Sequence, residues 1–306
     1  MSEPQNDRKN KAAVIGLGAM GMGMAVSLIR AGFDVAGYDV TQASIDRLAA
    51  AGGRGAQSPA EAAAGADAVI CVVVNAAQTE AILFGENGCA AAMPEGAVFI
   101  SCATMAPDAA RALAKRLEAQ GRLYLDAPIS GGAKRAAEGA LTVLTSGPAA
   151  AYAKARPALS GMAQTVHELG GEPGIAAAFK MVNQLLAGVH IAAACEAIAF
   201  AGKLGLDLPK VYEVITGAAG NSWMFENRIP HVLDGDYTPL SAVNIFTKDL
   251  GIVMDMGRST NFPVPMAAQA LQLFTMTSAS GMGRDDDASV ARFYAATAGV
   301  TLPEKK

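Results

Sequence analysis

Apolar and polar positions follow two regimes along the chain. Up to about residue 170, short β-type apolar runs alternate with amphipathic, alanine-rich stretches of helical spacing. The runs at 12–15, 34–38, 68–74, 97–101, 123–126, 141–145 and 165–169 read as strands. The stretches at 19–30, 42–51, 76–83, 107–119 and 149–159 read as helices. Alternation of this kind predicts an α/β fold with a largely parallel, doubly wound sheet of Rossmann type.

After Gly170-Gly171 the rhythm stops. Residues 174–204 read as one long helix, and 209–217, 223–232, 246–260 and 264–280 follow with helical spacing, separated by turn residues such as Gly220-Asn221 and Asp234-Gly235-Asp236. The expected organisation is a dinucleotide-binding domain over 1–171 and an all-α C-terminal domain over 172–306, built on a long interdomain helix. That helix is long enough to raise a membrane-spanning reading. Lys180, Asn183, Gln184, His190 and Glu196 interrupt it, however, and alanine dominates it, so a close-packed domain or dimer helix is expected.

Composition narrows the function classes. Of 306 residues, 52% are hydrophobic and 17% charged, enough apolar surface for two cores and for oligomer contacts, so a homodimer or homotetramer is expected. A net charge of −4 provides no broad basic surface, which argues against nucleic acid and anionic membrane as partners. Residues 1–11 are polar without an apolar segment and read as a tail, not a signal peptide, which makes the cytoplasm the expected location. Cys71, Cys89, Cys102 and Cys195 lack CxxC spacing and read as reduced structural thiols, and no HExxH or clustered His/Cys/Asp pattern points to a metal. The run Asp285-Asp286-Asp287 reads as a solvated turn, and Trp223, Met224 and Phe225 as packing at a helix start.

Residues Gly16-Leu17-Gly18-Ala19-Met20-Gly21 form a GxGxxG pattern. Among 33 glycines such a pattern arises by chance about 0.4 times per chain, so context decides its meaning. It follows a strand and opens a helix, which puts the first glycine in the turn, the second against a pyrophosphate and the third where helix meets strand. Asp39 closes the second strand, where a carboxylate would bond the adenine ribose hydroxyls and repel a 2′-phosphate. The expected cofactor is therefore NAD.

A second cluster is chemical. Between 174 and 195 Lys180 is the only residue with a full charge at neutral pH, on an otherwise apolar helix. Asn183 and Gln184 follow three and four residues on, so an amine and two amides share one face. A lysine at a helix flank can also simply extend its head into solvent. His167, His190 and His231 are the only histidines, and none has a carboxylate at obvious pairing distance in sequence.

The segments GLGAMGMGMA from Gly16, DAPISGGAKRAAEGALTVLTSG from Asp126, KMVNQ from Lys180 and KDL from Lys248 together resemble the β-hydroxyacid dehydrogenase family over nearly the whole chain. That group includes enzymes acting on 3-hydroxyisobutyrate and tartronate semialdehyde. The resemblance implies NAD-dependent oxidation of a small hydroxy acid, with Lys180 as general acid/base. It implies that Ser130, Gly131 and Gly132 hold the substrate carboxylate and that Asn183 and Gln184 face substrate. It places Val74, Asn75 and Thr104 along the nicotinamide half of the cofactor and lets Lys248 reach the cofactor. Gln184 departs from the asparagine many members carry, and KMVNQLLAGVHIAAACEA with SAVNIFTKDLGIV looks most like the branch acting on four-carbon sugar acids such as L-threonate.

Bland alternatives stand beside these roles. Ser130-Gly131-Gly132 could be an ordinary turn, Lys248 a surface partner of Asp249 or Asp255, and Asn75 and Thr104 helix caps. A dehydrogenase-like domain used as a non-catalytic binding module is the reading from another class; Lys180 and the acidic balance oppose it.

Overall fold

The computed structural model describes residues 10–305. All but the end of the expected N-terminal tail lies outside them, and Lys11 already begins the first strand. The chain divides into two compact units between Lys180 and Met181.

The first unit is built on six parallel strands: β1 (Lys11–Ile15), β2 (Asp34–Tyr38), β3 (Arg54–Gly55), β4 (Ala68–Cys71), β5 (Val98–Ser101) and β6 (Leu123–Asp126), in the order β3-β2-β1-β4-β5-β6. Helices α1 (Gly21–Arg30), α2 (Gln42–Ala50), α3 (Pro59–Ala63), α4 (Ala76–Phe84) and α5 (Pro107–Glu118) connect them. Period-two alternation explains why these strands are apolar throughout. Ala12, Val14, Ile70 and Ile100 face one buried cluster, while Ala13, Ile15, Val69, Cys71 and Phe99 face another. The apolar run from residue 68 continues to Val74, but the strand ends at Cys71 and the valines beyond it leave the sheet.

Two expected strands do not join this sheet. The segment Leu141–Thr145 (β8) and the strand Ala163–Glu168 (β9) form a separate three-stranded sheet with Ile129–Ser130 (β7), in the order β7-β8-β9, with β7 antiparallel to β8. After β6 the chain turns back through β7 and the short helix α6 (Gly132–Glu138), so β8 runs opposite to β6, beyond its edge. A parallel return would need a full crossover, and residues 127–140 are spent on the hairpin-like turn instead. The small sheet is stitched to the large one by a single antiparallel bridge, Asp126 with Ser146, and backed by α7 (Ala149–Met162).

The long helix α8 (Ile175–Lys203) begins in the first unit and runs on into the second. By length and composition it could cross a membrane, yet half of its most apolar window is buried inside the fold. The second unit adds α9 (Leu208–Thr216), α10 (Trp223–Asp234), α11 (Val243–Ser259), α12 (Pro265–Thr277) and α13 (Val290–Ala298), with no strand among its described residues. Ile191, Cys195 and Ile198 of α8 pack with Phe225, Ile229, Phe246, Leu250 and Phe274, and the last Phe pair stacks at 5.1 Å.

The acidic run corrects the expectation of a solvated turn. Asp286 and Asp287 are fully buried. Arg228 of α10 forks onto Asp287, with Nε–Oδ1 at 2.6 Å and Nη2–Oδ2 at 3.2 Å, and His231 lies 3.1 Å from Asp286. Asp286 also accepts from the amides of Leu240 and Ala288. These carboxylates tie α10 and the loop before α11 to the start of α13. Phe225 is packed as expected, whereas Trp223 is largely exposed.

Candidate active site

The order of the large sheet reverses between β1 and β4, and the loops at the carboxyl ends of these strands open a crevice of about 470 Å³. Gly16, Gly18, Tyr38, Asp39, Val40, Val72, Val74, Gln78 and Ile82 are among its lining residues. Each motif glycine has its own reason. Gly16 has φ +92° and a Cβ there would lie 2.3 Å from the Val72 carbonyl oxygen; one on Gly21 would lie 1.8 Å from the oxygen of Gly16. At Gly18 nothing lies within 4 Å, so the main chain is open to an incoming group.

The strand-end acid is tied into the same loop. Asp39 accepts from the Leu17 amide at 2.7 Å through Oδ2 and from the Thr41 amide at 2.8 Å through Oδ1. Open main chain at Gly18, apolar walls and a partly exposed carboxylate at the rim together fit a dinucleotide. Val74 lines the crevice and its amide donates to Gln78. Asn75 caps α4, its Oδ1 accepting from the Gln78 amide at 2.9 Å. Thr104 is half-buried in the loop before α5, two residues ahead of that helix's N-cap, Ala106.

Lys180 does not extend into solvent. It is 7% exposed, and its Nζ donates to the Ile129 carbonyl at 2.9 Å. Ile129 leads directly into Ser130, Gly131 and Gly132, so these four expected residues are brought together within the first unit. Gly131 and Gly132 have φ of +134° and +77°, a backbone course that side chains rarely follow.

In the second unit the expected amides form a chain of contacts. Asn183 Nδ2 donates to Gln184 Oε1 at 3.0 Å, Gln184 Nε2 donates to Asp249 Oδ2 at 2.6 Å, and Lys248 Nζ sits 2.9 Å from Asp249 Oδ1. The Lys248–Asp249 pair is not the surface contact considered above, because Asp249 is 1% exposed. Its burial was readable in the sequence: Phe246, Leu250, Val253 and Gly257 mark the inner face of α11, and Asp249 falls on it.

Sequence reasoning also missed Asp126, known there only as the first residue of a motif. It is fully buried at the end of β6, and its Oδ2 accepts from the amides of Gly174 and Ala177 at 3.0 and 2.9 Å. Burial pushes its carboxyl up to about 6, against the pull of those two amides and of Ser146. Of the histidines, His231 does have a carboxylate partner, supplied by a residue distant in sequence; its bond to Asp286 raises its pKa against burial. Among the described residues no three His, Cys, Asp or Glu side chains converge as metal ligands would.

A sheet of this order, a glycine turn opening on a crevice and a buried amine beside a glycine loop define a dinucleotide-dependent oxidoreductase. Residues 11–171 match the family described as the NAD binding domain of 6-phosphogluconate dehydrogenase, and residues 174–294 the one described as NAD-binding of NADP-dependent 3-hydroxyisobutyrate dehydrogenase. The chain is 54% identical to an L-threonate dehydrogenase of Cupriavidus necator, over 95% of this chain and 97% of the relative. It is 48% identical to one of Haemophilus influenzae, over 96% and 97%. A crystal structure of 3-hydroxyisobutyrate dehydrogenase from Salmonella typhimurium superposes with a TM-score of 0.89 at 45% identity, covering 93% of this chain and all of the other. The protein belongs to the 3-hydroxyisobutyrate dehydrogenase-like family of β-hydroxyacid dehydrogenases. It is an NAD-dependent oxidoreductase acting on the alcohol of a small hydroxy acid.

Proposed function

We propose that the chain oxidises L-threonate to 2-oxo-tetronate, with Lys180 moving the hydroxyl proton. The observation that carries this reading is the buried Lys180 amine, held 2.9 Å from the Ile129 carbonyl beside the Ser130-Gly131-Gly132 turn. The carbonyl takes one N–H of the amine and thereby orients it, so that in the unprotonated state its lone pair is aimed away from Ile129. Lys180 then accepts the substrate's hydroxyl proton, and in the reverse direction its ammonium returns that proton to the carbonyl oxygen. The chemistry a bound NAD would supply is a hydride acceptor for the same carbon. Ser130 and the amides of Gly131 and Gly132 hold the carboxylate, since without side chains the main chain can approach the anion closely.

Asn183 and Gln184 follow on the same helix and serve the further hydroxyls of a four-carbon acid; Asn244 is a third candidate. The glycine loop Gly16 to Gly21, with Asp39, Val74, Asn75, Thr104 and Lys248, is assigned to the cofactor, with NAD preferred over NADP because Asp39 would meet a 2′-phosphate with like charge. Residues 1–171 are assigned as the dinucleotide-binding domain, which also supplies the Ser130-Gly131-Gly132 turn to the substrate, and 172–306 as the helical domain of the remaining substrate and oligomer contacts, with Lys248 reaching the cofactor. Val182, Leu186 and Phe200, each at least half exposed on α8, support a homodimer or homotetramer, and the cytoplasm is the assigned location.

The named relatives favour L-threonate, and the Salmonella structure named for 3-hydroxyisobutyrate keeps that acid as the second reading, with tartronate semialdehyde behind it. The test is NADH formation by the purified protein across these acids, with Lys180→Ala alongside. The expected result is fastest turnover on L-threonate and a loss of at least about 100-fold in the variant with NADH binding intact. Near-normal turnover in Lys180→Ala removes the lysine from the chemistry, and fast 3-hydroxyisobutyrate oxidation without L-threonate oxidation reverses the substrate order.

A further inference from the structure

We infer that Asp126 is a positioning residue for the reaction, setting the place of the Lys180 amine by clamping the first turn of α8 to the strand that leads into the glycine turn. The inference rests on the role given to Lys180 above. Three elements meet at this one carboxylate. Its own backbone closes β6 and exchanges two hydrogen bonds with Ser146, N–H to oxygen at 3.0 Å and the reverse at 2.9 Å. Its side chain accepts from Gly174 and Ala177, and the Ser146 hydroxyl accepts from the intervening Ala176 amide at 2.9 Å.

The cap of α8 is therefore supplied from 48 and 51 residues away, not by a neighbouring side chain. Gly174 suits this entry: its φ is +92°, and a Cβ there would lie 2.7 Å from Arg111 and 2.8 Å from the Pro107 carbonyl oxygen. The anion also faces the positive end of a 29-residue helix, an interaction confined to the first turn.

Position follows from this clamp. Lys180 lies one helical turn beyond Ala177, and its carbonyl partner Ile129 lies three residues beyond Asp126. Donor and acceptor of the Lys180 contact are thus both registered on the same carboxylate, one through α8 and one through the chain after β6. Releasing Oδ2 lets the first turn of α8 shift relative to Ile129 without touching any group that meets substrate or cofactor. A displacement of about 1 Å at a proton-transferring group is enough to cost on the order of 100-fold in turnover.

The experiment is a double-mutant cycle with amine rescue. Asp126→Asn keeps the shape and one acceptor oxygen but removes the charge; Asp126→Ala removes the clamp. In the Lys180 background both are expected to lower kcat in graded fashion, about 10-fold for Asn and 100-fold for Ala, with the NADH dissociation constant within about 2-fold of wild type. In the Lys180→Ala background, with turnover restored by added ethylamine, Asp126→Asn is expected to have less than a 2-fold effect, because a free amine needs no helix to place it. Unchanged kcat in Asp126→Asn, or an equal loss with ethylamine in place of the lysine, overturns the inference. Full turnover in Lys180→Ala without amine defeats the lysine reading itself, a distinct outcome visible before the second substitution is made. Should Asp126→Ala not fold, Asp126→Asn alone closes the cycle.

Discussion

The buried Arg228–Asp287 pair offers a test of how the second unit is held together. Arg228→Met keeps the bulk and removes the cation. Two charge-assisted contacts are lost, at 2.6 and 3.2 Å, and a fully buried carboxylate is left without its guanidinium. Breaking a buried pair from one side costs about 3–5 kcal/mol. The cost depends on pH because Asp287 can take a proton instead. In the folded wild type, burial outweighs Arg228 and pushes the carboxyl up to about 6 from 3.8. Wild-type stability from this group therefore falls as pH rises from about 4 to 6 and is level above. Without Arg228 the carboxyl lies higher still, so the fall continues to higher pH, by up to about 1.4 kcal/mol per pH unit while Asp287 stays protonated. His231 adds in the same direction, since losing the nearby guanidinium lets it hold its proton to higher pH. The assay is urea denaturation followed by Trp223, the only tryptophan, five residues before Arg228 on α10. The expected deficit is near 3–5 kcal/mol at pH 8 and smaller by at least about 1 kcal/mol at pH 5.5. A deficit independent of pH, or under about 1 kcal/mol at pH 8, would refute the reasoning.

Two further expectations concern the glycine loop and assembly. Gly18→Ala meets nothing within 4 Å, so its melting temperature stays within about 2 °C of wild type while NADH affinity drops at least about tenfold; Gly21→Ala, with its Cβ 1.8 Å from an oxygen, loses both. Differential scanning fluorimetry and NADH fluorescence titration check the pair, and unimpaired NADH binding by Gly18→Ala rejects the assignment of that opening to the pyrophosphate. Sedimentation analysis is expected to give two or four chains per particle, and Phe200→Asp on the exposed side of α8 to give single chains.

The doubly wound half was legible because its evidence is local. Strand periodicity, the glycine turn and a strand-end acid all lie within some 30 residues of one another, and each has one structural use. Even α3, which the hydrophobic spacing does not predict, carries a signal in Ser58 and Glu61, whose side chains accept from the amides of Glu61 and Gln57. What could not be read was partnership. The apolar pattern of 141–145 identifies a strand but not its sheet, because the direction of β8 is decided by the turn through β7 and α6. Likewise three consecutive aspartates look like a solvated turn until Arg228, 59 residues away, is found on Asp287. Asp126 is the same case: its carboxylate serves amides 48 and 51 residues on, and nothing near it in sequence points there.

In sequence Gln184 is only a departure, and its contacts give that departure a physical meaning. The Gln184 NH₂ faces Asp249 and donates to its Oδ2 at 2.6 Å. The amide oxygen is then forced toward Asn183, whose NH₂ donates to it at 3.0 Å, which leaves the Asn183 carbonyl oxygen as the acceptor at the open end of the chain. Lys248 Nζ sits 2.9 Å from the other carboxylate oxygen of Asp249 and extends this chain of contacts. An asparagine at 184 is one methylene shorter, about 1.5 Å, and could not reach Asp249 while staying against Asn183. The longer amide thus joins Asn183 and Asp249 into one chain of contacts with a single oriented acceptor at its end.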